Sequence, residues 1–72
     1  MDSNNGRGKV KSFDEDKGYG FIEGDNGELF FAEKININMD LEVLQPGMLV
    51  NFTIVQGNPD KERIATNITM DF

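Results

Sequence analysis

The 72-residue chain contains neither cysteine nor histidine. Without cysteine there is no disulfide framework and no thiolate metal site. Without histidine the usual general base, the usual zinc ligand and the usual pH switch are missing. No apolar run is long enough to span a bilayer. The opening "MDSNNGRGKV" has no apolar region of the kind a secretory signal carries. Basic residues are scarce as well, 7 Lys and Arg against 13 Asp and Glu, for a net charge of −6. Taken alone, that balance opposes binding of a polyanion. Carboxylates are plentiful, but they fall in turns and on solvated faces, with no nucleophile or metal cluster beside them. No enzymatic activity and no cofactor are therefore expected. What remains is a cytoplasmic protein forming one domain over residues 1–72, near the size limit at which a core folds unaided. Residues 1–6, polar and glycine-containing, are expected to be disordered.

The charge is unevenly spread. Arg7, Lys9, Lys11 and Lys17, four of the seven basic residues, precede residue 20, while Glu23, Asp25, Glu28, Glu33, Asp40 and Glu42 follow. A local basic strip is compatible with an acidic whole; the competing reading of these lysines is a solvated strand edge.

Two-residue alternation dominates the chain, and no segment repeats at 3.6 residues. A strand is predicted over Arg7–Phe13, with Val10 and Ser12 on one side and Lys9, Lys11 and Phe13 on the other. After the turn "DEDKG" a second follows at Tyr19–Glu23, where Gly20 and Ile22 alternate with Tyr19 and Phe21. Glycines inside a strand mark a sharp bend or a close backbone approach, as a small barrel requires. "GDNGE" reads as a tight Asn-Gly hairpin into a third strand, Glu28–Glu33. There Leu29 and Phe31 share one face, expected to be the core face, while Phe30 and Ala32 share the other. A fourth strand, Met48–Gln56, alternates Val50, Phe52 and Ile54 with Leu49, Asn51, Thr53 and Val55. A fifth runs over Arg63–Met70, with Ile64, Thr66 and Ile68 on one side. Residues 34–47 read as a loop with a short helical turn. Five short strands in so small a chain suggest an all-β, closed or nearly closed barrel.

"KGYGFI" (Lys17–Ile22) resembles the first ribonucleoprotein motif, with "LFFA" (Leu29–Ala32) where a second would lie. Aromatic rings on an open sheet face stack on unpaired bases, and nearby lysines neutralise phosphates. An RNA-recognition motif needs a strand and a helix ahead of this segment, and only sixteen residues precede it. That fold is excluded on spacing.

Nearly the whole chain is similar to the bacterial cold-shock protein family. "GKVKSFDEDKGYGFI" resembles its opening strand pair, "ELFFAEKI" its third strand, "QPGMLVNFTIVQGN" its fourth and "ATNIT" its closing strand. The resemblance implies a five-stranded antiparallel Greek-key barrel of the oligonucleotide-binding (OB) type. It implies binding of single-stranded RNA or DNA, with RNA chaperoning or control of transcription or translation as the associated role. Carried over by position, Lys11, Phe13, Lys17, Tyr19, Phe21 and Phe30 fall where the family contacts phosphate or stacks on bases. The chain departs from the pattern at Ser12, where tryptophan is usual, at Ala32 and Glu33, where His and Phe are usual, and at Leu41, where an aromatic is common. A face thinned in this way implies weak binding. It also leaves an alternative, a protein-interaction module or self-association through the apolar loop residues Ile35, Ile37, Met39, Leu41 and Val43.

Overall fold

A computed structural model describes residues 5–37, 44–57 and 60–70. Among them five strands, β1 (Asn5–Asp14), β2 (Tyr19–Gly24), β3 (Leu29–Glu33), β4 (Leu49–Val55) and β5 (Arg63–Met70), close into a barrel in the order β1-β2-β3-β5-β4. This is the OB-type barrel that the resemblance implied. One junction differs from the expected all-antiparallel pairing, because β3 and β5 run parallel. Topology requires it: an odd number of strands cannot alternate in direction around a closed ring. The strands end within about two residues of their expected limits, and β1 begins earlier. Asn5 and Gly6 pair with Thr53 and Phe52 of β4, so the strand starts ahead of residue 7. Positions 1–4 of the segment expected to be disordered lie outside the described residues.

The turns explain the registers. Between β1 and β2, Asp14 Oδ1 accepts from the backbone N–H groups of Asp16 (3.0 Å) and Lys17 (3.2 Å), and Gly18 takes φ +80. Between β2 and β3, Gly27 N–H donates to the Gly24 carbonyl (2.9 Å) and Gly24 N–H to the Glu28 carbonyl (2.7 Å), with Gly27 at φ +87. The loop is therefore Asp25-Asn26-Gly27, one residue longer than a two-residue Asn-Gly hairpin. That extra residue sets the faces of β3. A two-residue loop would place Phe31 opposite Ile22, whereas the observed register pairs Ile22 with Phe30 and Gly20 with Ala32.

The core consists of Val10, Ile22, Phe30, Ala32, Leu44, Val50, Phe52, Ala65 and Ile68, with Phe13, Ile37, Met48 and Ile54 packed against it. Phe30 is only 3% exposed, and its ring lies 4.9 Å from that of Phe52. Phe31, expected in the core, is half-buried on the outer face. Bulges correct two further face assignments. β1 shifts register between Val10 and Ser12, which turns Ser12 outward opposite Phe21 and brings Phe13 inward opposite Gly20. Gly20 makes room for this crossing, since a Cβ there would collide with the Ser12 carbonyl and the Phe13 Cα. In β5 a shift near Asn67, which sits at φ 51, separates the faces of Ile64 and Ile68. Ile68 is fully buried and Ile64 is half-exposed.

The connection after β3 begins as a 3-10 turn over Lys34–Asn36, in keeping with a loop containing a short helical turn. Ile37 then forms a bridge to Ile68 and packs on the core, while Ile35 is 87% exposed. Met39, Leu41 and Val43 lie outside the described residues. No helix among the described residues is long and apolar enough to cross a membrane.

Candidate nucleic-acid interface

Strand pairing arranges the outer face of β1, β2 and β3 in three cross-strand rows. The middle row runs Ser12, Phe21, Phe31 and continues onto β5 at Ile64 and β4 at Val55. The row toward the β1–β2 turn is Asp14, Tyr19, Glu33, and the row toward the β2–β3 turn is Lys9, Glu23, Leu29. Rows two residues apart along a strand are separated by about 6.5 Å.

Three rings meet where the first two rows adjoin. Tyr19 and Phe31 have centroids 5.5 Å apart at an interplanar angle of 40°, and Phe21 and Phe31 are 5.8 Å apart at 62°. Phe31, flanked by the other two, is the centre of the group. Tyr19 is 37% exposed and both phenylalanines are half-buried, so the rings brace one another and still present surface to solvent. Beside them Phe21, Phe31, Lys61, Glu62 and Ile64 line a shallow hollow of ≈ 370 Å³. Exposed ring surface of this kind, with its rings tilted against one another, offers individual faces on which a planar aromatic group can stack.

The six residues expected to form the site divide. Tyr19 and Phe21 lie together on the outer face, and Lys17 stands exposed in the turn leading to them. Lys11 is exposed at the β1 bulge. Phe13 is half-buried and turned against the core by that bulge, not outward beside Lys11 as expected. Phe30 is inside the barrel, so its outward assignment is corrected; Phe31 holds the place intended for it. Ala32, matched by position to a family histidine, is fully buried. A binding-face residue does not belong there, and the correspondence along β3 shifts by one.

Sequence reasoning missed Phe31, Ile64 and Lys61. Counting the hairpin loop as three residues identifies Phe31. Ile64 required knowledge of the bulge at Asn67, and Lys61 of the way the turn before β5 comes back beside β3.

The electrostatics of the face are mixed. Lys9 faces Glu23 across β1 and β2, and Tyr19 sits between Asp14 and Glu33. A bidentate ion pair lies off the face, where Arg63 donates through Nε (2.7 Å) and Nη2 (2.5 Å) to the two carboxylate oxygens of Glu28. Hydrogen bonding to Arg63 holds the Glu28 carboxyl below its ordinary range, and the same bond raises the Arg63 pKa. The guanidinium also lies 5.4 Å from the Phe30 ring centroid, which ties β5 to the inner side of β3. Among the described residues no group of carboxylates is arranged to hold a metal ion.

Barrel order and an open aromatic sheet face together define an oligonucleotide-binding barrel. The chain belongs to the cold-shock domain family: the family model described as 'Cold-shock' DNA-binding domain matches residues 6–70. It is 47% identical over 53 residues to cold shock protein CspB of Bacillus caldolyticus, covering 72% of this chain and 80% of that protein. It is 43% identical over 63 residues to cold shock-like protein CspD of Bacillus cereus, covering 86% and 92%. A cold shock-like protein of Thermotoga maritima is 46% identical over 52 residues, covering 71% and 79%.

Proposed function

We propose that the protein binds single-stranded RNA or DNA by stacking bases on Tyr19, Phe21 and Phe31. The carrying observation is the contiguous, partly exposed group of these three rings on the outer sheet face. Membership of the cold-shock domain family supports the same reading. Lys11, Lys17 and Lys61 border the face and meet phosphates, while the hollow against Ile64 receives the strand as it leaves β3. Phe13 and Phe30 serve the site through packing: one fixes the bulged end of β1, the other anchors β3 from within.

Stacking contributes roughly 1–3 kcal/mol per base. Three rings and about three lysines give modest affinity, in the micromolar range, with stacking outweighing charge. The test is titration with a single-stranded heptanucleotide at low salt, followed by backbone amide NMR shifts. Shifts are expected at residues 17–21, 29–33 and 61–64. Absence of shifts at high ligand excess, or shifts confined to the segment after Lys34, would remove the reading and favour a protein partner docking near the exposed Ile35.

A further inference from the structure

The proposed platform carries an acceptor beside one of its rings, and that acceptor has consequences for which base is taken. Tyr19 pairs directly with Glu33 on β3 and with Asp14 on β1. Directly opposed residues on one face keep their Cβ atoms about 4.5–5.5 Å apart, so a base lying on the Tyr19 ring has its edge within reach of both neighbours. The two carboxylates are not equivalent. Asp14 Oδ1 is held by the N–H groups of Asp16 and Lys17 in the turn. Glu33 stands at the start of the 3-10 turn but makes no capping bond, and among the described residues its side chain has no hydrogen-bond or ion-pair partner. Glu33 is half-buried on the outer face, in the same cross-strand row as Tyr19.

We infer that Glu33 selects the base stacked on Tyr19, favouring guanine and disfavouring uracil or thymine. This rests on the stacking reading above. An ionised carboxylate only accepts hydrogen bonds. Guanine offers two adjacent donors on its Watson–Crick edge, N1–H and the N2 amino group, which match the two oxygens of one carboxylate. Cytosine and adenine each offer one amino donor beside an acceptor nitrogen. Uracil and thymine present a single N3–H between two carbonyl oxygens, so any approach to Glu33 sets oxygen against oxygen. The expected order is guanine first, cytosine and adenine next, uracil and thymine last.

A simpler effect of Glu33, repulsion of phosphate, acts equally on every sequence and weakens with salt. The experiment separates the two. Heptathymidylate is compared with the same strand carrying one central guanine, cytosine or adenine, by calorimetric or fluorescence titration, using the wild-type protein, Glu33→Gln and Tyr19→Ala. The wild type is expected to bind the guanine-bearing strand about fivefold or more tightly than heptathymidylate, in line with a bidentate contact weakened by exposure. Glu33→Gln, which keeps size but offers both a donor and an acceptor, should bring that ratio close to one. Equal binding of all four strands by the wild type overturns the inference. So does a Glu33→Gln variant that tightens every strand by the same salt-sensitive factor. In both of those cases, a loss of affinity in Tyr19→Ala would show that the stacking reading itself survives. If no strand binds, or Tyr19→Ala leaves all affinities intact, both readings fall together.

Discussion

Replacing Phe30 and Phe31 by alanine, one at a time, separates the two faces of β3. Phe30 is 3% exposed, packs its ring 4.9 Å from Phe52 and lies under the Arg63 guanidinium. Truncating a buried phenylalanine to alanine costs about 3–5 kcal/mol. A domain of 72 residues has a total stability of about 4–11 kcal/mol. Phe30→Ala is therefore expected to consume most of the stability, lowering the urea midpoint by about 3 M at a slope near 1 kcal/mol/M. Phe31 is half-buried and meets Tyr19 and Phe21 at 5.5 and 5.8 Å. Its truncation should cost about 1 kcal/mol of stability, because each such ring pair contributes about 0.5–1.5 kcal/mol and this one is partly wet. Binding of a single-stranded heptanucleotide, in contrast, should fall by about 5- to 150-fold in Phe31→Ala, the equivalent of one lost stacking partner. Where Phe30→Ala is too unstable to purify, Phe30→Leu retains most of the volume and should destabilise by about 1 kcal/mol with affinity unchanged. Equal loss of stability in the two alanine variants, or intact binding in Phe31→Ala, would refute the assignment of faces and of the platform together.

The contrast between β3 and β4 shows what a single sequence reveals about a small barrel. In β4 one phase, Val50, Phe52 and Ile54, is apolar throughout, whereas the other is interrupted by Asn51 and Thr53 between Leu49 and Val55, so periodicity favours the first phase, and the structure adopts it. In β3 the run Leu29-Phe30-Phe31-Ala32 is apolar in both phases, so periodicity cannot choose. The decision passes to the hairpin, and there Asn26-Gly27 mimics a two-residue turn while the chain closes over three. Bulges hide the rest. One extra residue at Lys11 reverses the phase of β1, and the left-handed Asn67 reverses β5, with no composition signal stronger than a lone lysine or asparagine. Motif transfer by position inherits such slips, which is how Ala32 came to stand for a binding-face residue. The number and limits of the strands were legible because turns and spacings survive a phase error, and the barrel followed from the family resemblance, but the site was not legible, because a face depends on parity.

Other perturbations test the barrel and the face independently. Gly20→Ala drives a Cβ into the Ser12 carbonyl and the Phe13 Cα, and should cost about 1–3 kcal/mol by urea unfolding because backbone cannot step aside; a neutral result would mean that β1 does not cross there. The Glu28–Arg63 pair gives a pH signature. Its folded-state carboxyl lies below the ordinary value of 4.5, so its contribution is complete above that pH and is lost as pH falls through the lowered pKa. The stability difference between wild type and Glu28→Gln should then shrink on acidification and also on adding salt, and a difference constant with pH would deny the pair any role. The salt dependence of binding reports how few phosphates are met. If Lys11, Lys17 and Lys61 each neutralise one phosphate, the plot of log affinity against log salt has a slope of about −2, at −0.7 per contact on a single strand. Lys61→Ala should make that slope shallower by about 0.7 and leave the stability of the domain intact, since Lys61 is exposed beside the hollow. An unchanged slope would take the strand away from the β4–β5 turn and confine it to the three aromatic rings. A slope much steeper than −2 would mean that charge, not stacking, carries the affinity of this acidic chain.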